Sequence, residues 1–281
     1  MGHWNDLMVR DMELRGLSKR TVYSYRLEMK KLVGFYKIEP NKLSLEQVLD
    51  YLYHLYSVKK VSNSTMKCVA SSLKFFYKHC VERNWDFEKI PYPKSQKVFP
   101  DFFNRKEITK ILSNTARIDE KLLYMTLYST GIRIGEARKL KYEDIDKERM
   151  VFHIKLAKGG KDRLVPLSDG LRLELRKYYS LTNCKLSDFI FKGNKLNEPL
   201  CPKAAARRFH KCLKKSGIKK RAKFHSFRHS FATHLFEDGT SLLVLQRVLG
   251  HASIKSTLIY THLTNNFLDS IISPLERLYE I

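Results

Sequence analysis

Apolar side chains recur at helical spacing through the first hundred residues of the chain. Two series are clear, and between them the sequence Ser44 to Gln47 has the form of a capping box, which predicts the start of another helix. The two series are Val22, Tyr25, Met29, Leu32, Val33 and Tyr36, and Met66, Val69, Leu73, Phe76, Tyr77 and Cys80. Residues 1–90 are therefore predicted to form a small helical bundle.

Three prolines interrupt the helical pattern after this bundle. Pro91, Pro93 and Pro100 each remove a backbone donor and push the preceding residue away from helical conformation. Residues 91–103 are therefore predicted to be an extended linker. A second capping sequence, Asn104 to Glu107, predicts that helices resume directly after it.

One later segment alternates between apolar and polar side chains instead of following the helical period. Within residues 151–167, Phe152 and Ile154 flank His153, and a Gly-Gly pair at 159–160 precedes a second apolar run. This pattern predicts a β-hairpin in an otherwise helical region. The expected fold class is mainly α with a small β element.

The last stretch, residues 265–281, carries an apolar stripe that is interrupted by Pro274. The stripe consists of Phe267, Leu268, Ile271, Ile272, Leu275 and Leu278. We expect a tail helix that either folds onto its own domain or docks on a neighbouring protomer.

The charge balance indicates that this helical protein has a polyanionic partner. The chain holds 53 Lys and Arg against 29 Asp and Glu, a net charge of +24. Residues 1–100 contain 18 basic and 10 acidic residues, and the rest of the 53 and 29 lie in residues 101–281. Both parts of the chain are therefore cationic. Double-stranded DNA is the expected partner, with an anionic membrane surface as the alternative. The candidate DNA contacts are Arg26, Lys30, Lys67, Lys74, Lys78, Arg207, Arg208 and Lys211.

Several classes of protein lack their usual sequence features here. The chain has no run of eighteen apolar residues and no export signal at its start, so we expect a cytoplasmic protein without a membrane role. The five cysteines are widely spaced and form no zinc-ligand or disulfide pattern. Without paired carboxylates or a Gly-rich phosphate loop, no metal and no nucleotide cofactor is expected.

The candidate chemistry is cationic. His225 and Arg228, three residues apart, project from one face of a predicted helix, while Phe227 and Phe231 supply an adjacent apolar face. A phosphodiester in its pentacoordinate transition state gains charge on its non-bridging oxygens, and fixed guanidinium groups can bind those oxygens. The pair therefore suggests phosphoryl chemistry.

Four segments make this suggestion specific. They are TGIRIGEARKLKYEDID, AKGGKDRLVPL, FHSFRHSFATHL and LGHASIKSTLIYTH. In order and spacing they resemble the signature boxes of the tyrosine recombinase (phage integrase) family, and the resemblance covers residues 104–264. The amino-terminal bundle is similar to the core-binding, DNA-clamp domain of that family. The chain length resembles that of its simple Xer-like members.

The resemblance implies a domain plan and a set of roles. Residues 104–264 would be the catalytic domain, residues 265–281 would dock in trans, and a homotetramer would assemble on two DNA sites. Tyr260 would be the nucleophile of a site-specific recombinase that forms a 3′-phosphotyrosyl intermediate. The other implied roles are phosphate binding by Arg133 and Arg228, general base for His225, phosphate hydrogen bonding for His251, leaving-group protonation by Lys158, and orientation of Arg133 by Glu136.

Two departures from the family pattern leave one assignment open. Ala157 stands where a glycine usually precedes the hairpin lysine, and Gly135 occupies a common serine position. Lys155 and Lys161 therefore remain alternatives to Lys158. The alternative functions are a type IB topoisomerase, which rejoins the same strand, and a DNA-binding protein that uses the fold without cutting.

Overall fold

The computed structural model describes residues 3–93, 100–155, 162–182, 184–193, 198–251 and 253–262. The chain divides into two compact units, Met1–Lys97 and Val98–Ile281. Residues 94–99 of the predicted linker and the whole predicted tail at 265–281 lie outside the described residues.

The described residues of the first unit form a bundle with four α-helices. They are α1 (His3–Leu14), α2 (Lys19–Tyr36), α3 (Leu45–Ser57) and α4 (Asn63–Phe75), and α4 continues into one π-helical turn, Phe76–Cys80. The predicted capping box of α3 forms, because Ser44 and Gln47 each bond the backbone of the other. Met8, Met29 and Leu73 are among the fully buried core side chains.

The second unit contains seven further α-helices among the described residues. They are α5 (Arg105–Ser113), α6 (Ile118–Thr130), α7 (Ile134–Ala137), α8 (Asp169–Thr182), α9 (Pro202–Lys215), α10 (Phe224–Glu237) and α11 (Leu242–Leu249). Two 3-10 helices follow, Ile254–Ser256 and Leu258–His262. The predicted cap at Asn104 forms a capping box with Glu107 and begins α5.

A small antiparallel sheet lies in this unit, with strand order β1-β2-β3. The strands are β1 (Ile145–Asp146), β2 (Val151–Ile154) and β3 (Arg163–Pro166). Pairing of Phe152 with Val165 buries both side chains. The predicted hairpin strands are therefore present, although residues 156–161 of their connection lie outside the described residues. The sequence pattern did not predict β1, which has only two residues.

Aromatic packing fixes α10 at the centre of this unit. Phe227 of α10 stacks on Tyr124 of α6 with ring centroids 5.6 Å apart, and Phe224 stacks on Phe209 of α9 at 4.8 Å. One face of α10 is thus held by α6 and α9, which leaves its other face to carry polar groups. The mainly helical fold class with a small β element is confirmed.

Among the described helices, none combines the length and apolarity that crossing a bilayer requires. All five cysteines carry free thiols.

Candidate active site

A glycine at the end of α6 positions the first arginine of the site. Gly131 has φ 63°, a left-handed conformation that ends the helix, and a Cβ atom there would overlap the ring of Phe231. The chain then turns so that Arg133 is the N-cap residue directly before α7. The Gly131 carbonyl accepts a hydrogen bond from Nη1 of Arg228 at 2.9 Å, which links the two arginine segments.

Glu136 binds two arginines at once. Its Oε1 accepts a hydrogen bond from Nη1 of Arg133 at 3.0 Å, and its Oε2 accepts from the Arg133 backbone N–H at 2.8 Å. Arg163, on β3, donates one hydrogen bond to each carboxylate oxygen, at 3.0 and 2.8 Å. The predicted contact between Glu136 and Arg133 is therefore present, and Arg163 extends it.

The electrostatics of this group keep Glu136 ionised. Burial alone would raise the pKa of its carboxyl, but the hydrogen bonds and charges of Arg163 and Arg133 outweigh that effect and lower the pKa to about 2. A permanent carboxylate is thus available to hold Arg133.

A second glycine makes room for Arg163. Gly250 ends α11 with φ 63°, and a Cβ atom there would lie 2.9 Å from Cδ of Arg163. The side chain of Arg163 passes over this glycine, and its Nε donates to the carbonyl of Val248 at 3.2 Å. Strand β3 is in this way attached to the end of α11, where His251 follows.

Arg228 is the most deeply buried charged residue of the site, at 1% exposure. Its guanidinium donates to the carbonyls of Gly131 and Leu249, at 2.9 and 2.6 Å, while its buried Nε has no hydrogen-bond partner among the described residues. Burial, followed by the charge of Arg133, lowers the pKa of Arg228 to about 10. The side chain stays charged at neutral pH and has a donor left for an anion.

Thr257 links His251 to the segment that carries Tyr260. The Thr257 hydroxyl lies 2.9 Å from Nδ1 of His251, and the Thr257 carbonyl accepts from the backbone N–H of Tyr260 at 3.1 Å. Burial and the charges of Arg228 and Arg133 lower the pKa of His251 to about 4, so this ring is neutral at pH 7. Its position is fixed by the same residue that fixes Tyr260.

The hydroxyl of Tyr260 lies 3.2 Å from Nδ1 of His229. The ring of Tyr260 is buried against Phe231 and Leu249. Burial raises the pKa of Tyr260 to about 12, in spite of the nearby charges of Arg228 and Arg133, which lower it. The phenol is therefore fully protonated at neutral pH and needs a proton acceptor before it can act as a nucleophile.

His225 lies at the exposed edge of this group. Its ring meets that of His229 edge to face, with centroids 4.7 Å apart and planes at 89°. Partial desolvation, followed by the charges of Arg228 and Arg133, lowers the pKa of His225. No hydrogen bond joins His225 to Tyr260 among the described contacts.

The predicted catalytic residues within the described chain, and the predicted orienting residue Glu136, come together at one site. They are Arg133, Glu136, His225, Arg228, His251 and Tyr260. Lys158 and its alternative Lys161 lie outside the described residues. The other alternative, Lys155, directly follows β2. Its Nζ lies 2.6 Å from Asp144, and this hydrogen bond raises the pKa of the lysine.

The predicted DNA contacts differ in their surroundings. On α9, Arg207 and Lys211 are exposed, whereas Arg208 is half-buried and forms an ion pair with Glu120 at 3.6 Å. In the first unit, Lys30 and Lys78 are exposed, Lys67 is half-buried, Arg26 donates to Asn5 at 2.9 Å, and Lys74 lies 4.3 Å from the ring centroid of Tyr92. The exposed residues are free to meet a polyanion, and Arg208 already has an internal partner.

Sequence reasoning missed two residues of the site, His229 and Arg163. Both stand inside the quoted boxes, one directly after Arg228 and the other after the hairpin glycines. His229 follows His225 by four residues, a spacing that places two histidines on one helical face and could have flagged it. For Arg163 the signal is weaker, since its partner lies 27 positions away.

A tyrosine hydroxyl placed among two arginines and three histidines defines an enzyme class that bonds covalently to a phosphodiester. Comparison with the sequence models of known families leads to the same class of enzyme. The phage integrase family model matches residues 101–266, and the model of the phage integrase N-terminal SAM-like domain matches residues 4–87. The chain belongs to the phage integrase family.

Individual relatives identify the type of enzyme within this family. Tyrosine recombinase XerA of Pyrococcus horikoshii is 32% identical over 276 residues, covering 96% of this chain and 92% of that protein. Tyrosine recombinase XerD of Oceanobacillus iheyensis is 32% identical over 272 residues, covering 89% and 90%. The chain is a tyrosine recombinase of the simple Xer-like type.

A solved structure shares the fold. The crystal structure of XerH site-specific recombinase bound to its difH substrate, in a pre-cleavage complex, superposes with a TM-score of 0.71. The two chains are 22% identical over 100% of this chain and 84% of that one. This likeness concerns the arrangement of the chain and not the roles of single residues.

Proposed function

We propose that this chain cuts and rejoins duplex DNA at a specific site, with Tyr260 as the nucleophile. The observation that carries the proposal is the packing of Tyr260 on Leu249, whose carbonyl accepts a hydrogen bond from Arg228 at 2.6 Å. Arg228 in turn donates to the carbonyl of Gly131, two residues before Arg133. A phosphodiester bound by these arginines would have its phosphorus beside the phenolic oxygen. Only that oxygen has to reach phosphorus, so the ring can remain packed on Phe231 and Leu249.

The proposed reaction is a transesterification. The phenolic oxygen of Tyr260 forms a bond to phosphorus as the bond to the 5′ oxygen breaks, which leaves a 3′-phosphotyrosyl link and a free 5′ hydroxyl. A 5′ hydroxyl of the partner duplex then reverses the step. One phosphoester replaces another throughout, so the strand exchange needs no external energy source.

The remaining site residues receive roles in this step. Arg133 and Arg228 hold the non-bridging oxygens, where charge grows in the transition state. Glu136 fixes the guanidinium of Arg133, and His251, fixed by Thr257, supplies a further hydrogen bond to the phosphate. Lys158 is assigned to protonation of the leaving 5′ oxygen on its position in the hairpin sequence alone.

Double-stranded DNA is the proposed partner, bound by both cationic units. The XerH relative was solved on its DNA substrate, which supports this choice. Exposed basic side chains, among them Arg207 and Lys211 on α9, are proposed to contact the phosphate backbone and to supply affinity without sequence readout. We further propose that the protein acts in the cytoplasm and assembles as a tetramer on two sites, with residues 265–281 docking between protomers.

Covalent capture tests this function. Wild-type protein and Tyr260→Phe are incubated with a library of nicked duplexes, and DNA that stays attached to protein after denaturation is sequenced. Attachment of one recurrent sequence to the wild type alone is the expected result. Capture of unrelated sequences would support a topoisomerase instead. Binding of DNA by both proteins without capture would mean that the fold serves a non-catalytic DNA-binding protein.

A further inference from the structure

We infer that Arg221 and Lys223 bind phosphates of the cleaved strand that flank the scissile phosphodiester. The inference rests on the proposed function, because it concerns how DNA is held beside Tyr260. Both residues lie in the connection between α9 and α10, residues 216–223. None of the DNA contacts predicted from the sequence lies in this connection.

The first argument is the charge of the surrounding sequence. Residues 199–236 contain eleven Lys and Arg and no Asp or Glu. This stretch includes all of α9, the connection, and all but the last residue of α10. A region with charge of one sign attracts a polyanion, and the attraction acts through those cations that are exposed and not neutralised by an internal partner.

Internal partners divide the cations of the connection. Nζ of Lys220 donates to the carbonyl of Phe102 at 2.9 Å and to Oε2 of Glu107 at 2.7 Å. Arg221 and Lys223 are exposed, and neither cationic group has an ion pair or hydrogen bond within the part of the chain that the structure describes. Lys220 therefore fastens the connection to its own domain, which leaves Arg221 and Lys223 available to a ligand.

Buried neighbours decide where these two side chains point. Ala222, between them, is 1% exposed, and Phe224, directly after them, is packed in the core. The backbone of Lys223 is extended, with φ −125° and ψ 172°, and its N–H donates to Oγ of Ser226 at 3.2 Å. Because neighbours in an extended segment point to opposite sides, burial of Ala222 directs Arg221 and Lys223 to one exposed side.

The connection ends near the arginine that is proposed to hold the scissile phosphate. Lys223 is the residue directly before α10, and Arg228 follows it by five residues. A helix rises about 1.5 Å per residue, so the two α-carbons lie about 7.5 Å apart along its axis. That distance equals about two nucleotides of one strand, at about 3.4 Å each. A strand held by Arg228 therefore has flanking phosphates within reach of Lys223, and Arg221 meets phosphates farther along.

Contacts of this kind have a defined effect on the reaction. Phosphate contacts carry no base information, but they fix where a protein lies along a duplex. Two cations beside the site hold the cleaved strand so that one phosphodiester is presented to Arg133 and Arg228. The connection thus places the DNA and takes no part in the chemistry of Tyr260.

The test removes charge from the DNA and from the protein, singly and together. The duplex carries the sequence recovered by covalent capture, and one phosphate at a time on each side of the cut is replaced by a neutral methylphosphonate. Arg221→Gln and Lys223→Gln are made in the Tyr260→Phe protein, so that bound DNA stays intact, and affinity is measured by mobility shift. Lys147→Gln is the matched control, since Lys147 is also exposed but lines a cavity with Arg176 of α8.

For each of the two cations, one neutral linkage beside the cut should weaken binding by the Tyr260→Phe protein about tenfold, the loss expected when a charge-assisted contact is removed. The same linkage should make no further difference to the variant that lacks that cation, because the two changes remove one contact. The linkage for Lys223 should lie nearer to the cut than the linkage for Arg221. Lys147→Gln should respond to every neutral linkage as its parent does.

Three outcomes overturn the inference. Additive losses at every linkage would mean that neither cation contacts a flanking phosphate. Unchanged affinity of Arg221→Gln and Lys223→Gln would mean that the connection does not bind DNA. A general weakening that Lys147→Gln shares equally would reduce the effect to the net charge of the protein. Failure of the wild type to capture any duplex would instead overturn the proposed function, and the inference with it.

Discussion

The guanidinium of Arg163 meets the carboxylate of Glu136 with two parallel hydrogen bonds, at 3.0 and 2.8 Å. Both side chains are nearly buried, at 10% and 9% exposure. The same carboxylate holds Arg133, so strand β3 is connected through Glu136 to an arginine of the active site. The position of Arg133 therefore depends on Arg163, although none of the described hydrogen bonds joins Arg163 to Tyr260.

Replacing Arg163 should weaken both the fold and the site. Arg163→Ala leaves Glu136 with one arginine instead of two, and loss of one partner from a buried ion pair costs about 3 kcal/mol. We expect a lower midpoint of urea unfolding and a cleavage rate reduced about tenfold or more, because Arg133 loses its fixed orientation.

Arg117→Ala is the matched control for this change. Arg117 also binds a carboxylate through two nitrogens, that of Asp119, but its side chain is 59% exposed. Loss of an exposed pair costs less than about 1 kcal/mol. Equal effects of the two substitutions on unfolding and cleavage would show that the buried ion pair of Arg163 with Glu136 does not position Arg133.

Gly250 should tolerate a methyl group poorly for two separate reasons. Gly250→Ala places an L side chain at φ 63°, which costs about 1–2 kcal/mol, and its Cβ would also press on Arg163. Gly217→Ala, at φ 69° with open space around it, carries the first cost alone. Both variants should unfold at lower urea concentration, but only Gly250→Ala should lose cleavage. Normal cleavage by Gly250→Ala would show that the close approach of Arg163 to Gly250 does not matter for the site.

The stability of the second unit should fall as the pH falls below 6.5. His229 and His251 have pKa values lowered to about 4, so the unfolded chain binds protons that the folded chain cannot. Their contribution to the free energy of unfolding is complete above pH 6.5 and is lost as the pH falls towards 4. Glu136, with a pKa of about 2 against the usual 4.5, adds a further loss between those two values.

Urea unfolding at about pH 7.5 and about pH 5 measures this dependence. The unfolding midpoint of the wild type should fall between the two conditions. The double variant His229→Asn, His251→Asn should show a smaller fall, since its folded and unfolded states differ less in bound protons. A fall as large in the double variant would assign the pH dependence to other groups.

Salt dependence should separate the exposed basic residues of α9 from the paired one. Each phosphate contact adds about 0.9 to the slope of log affinity against log salt. Arg207→Ala and Lys211→Ala should each lower that slope by about this amount. Arg208→Ala should leave it unchanged, because Arg208 is already paired with Glu120. A slope lowered by Arg208→Ala alone would contradict the division.

Much of the fold followed from local patterns. The capping boxes at Ser44 and Asn104, the alternation around Phe152, and the shared face of His225 and Arg228 all depend on residues near one another in sequence. Such features are set by hydrogen bonds and periodicities within a few positions, which is why they could be predicted. The family resemblance added the distant Tyr260.

The parts that were not predicted are tertiary pairings. The sequence gives no sign that Arg208 turns towards Glu120 while Arg207 faces solvent, or that Arg163 reaches Glu136. The contact between His229 and Tyr260 likewise depends on how the 3-10 helix Leu258–His262 packs on α10. Side-chain partners of this kind are decided by packing geometry and not by spacing.

The most direct test of the account is to locate the covalent bond on the protein. Captured DNA is digested with nuclease, the protein is cleaved into peptides, and mass spectrometry identifies the residue that retains a nucleotide. The account predicts a 3′-linked nucleotide on Tyr260 and on no other tyrosine. A nucleotide on a different residue, or capture that persists in Tyr260→Phe, would contradict it.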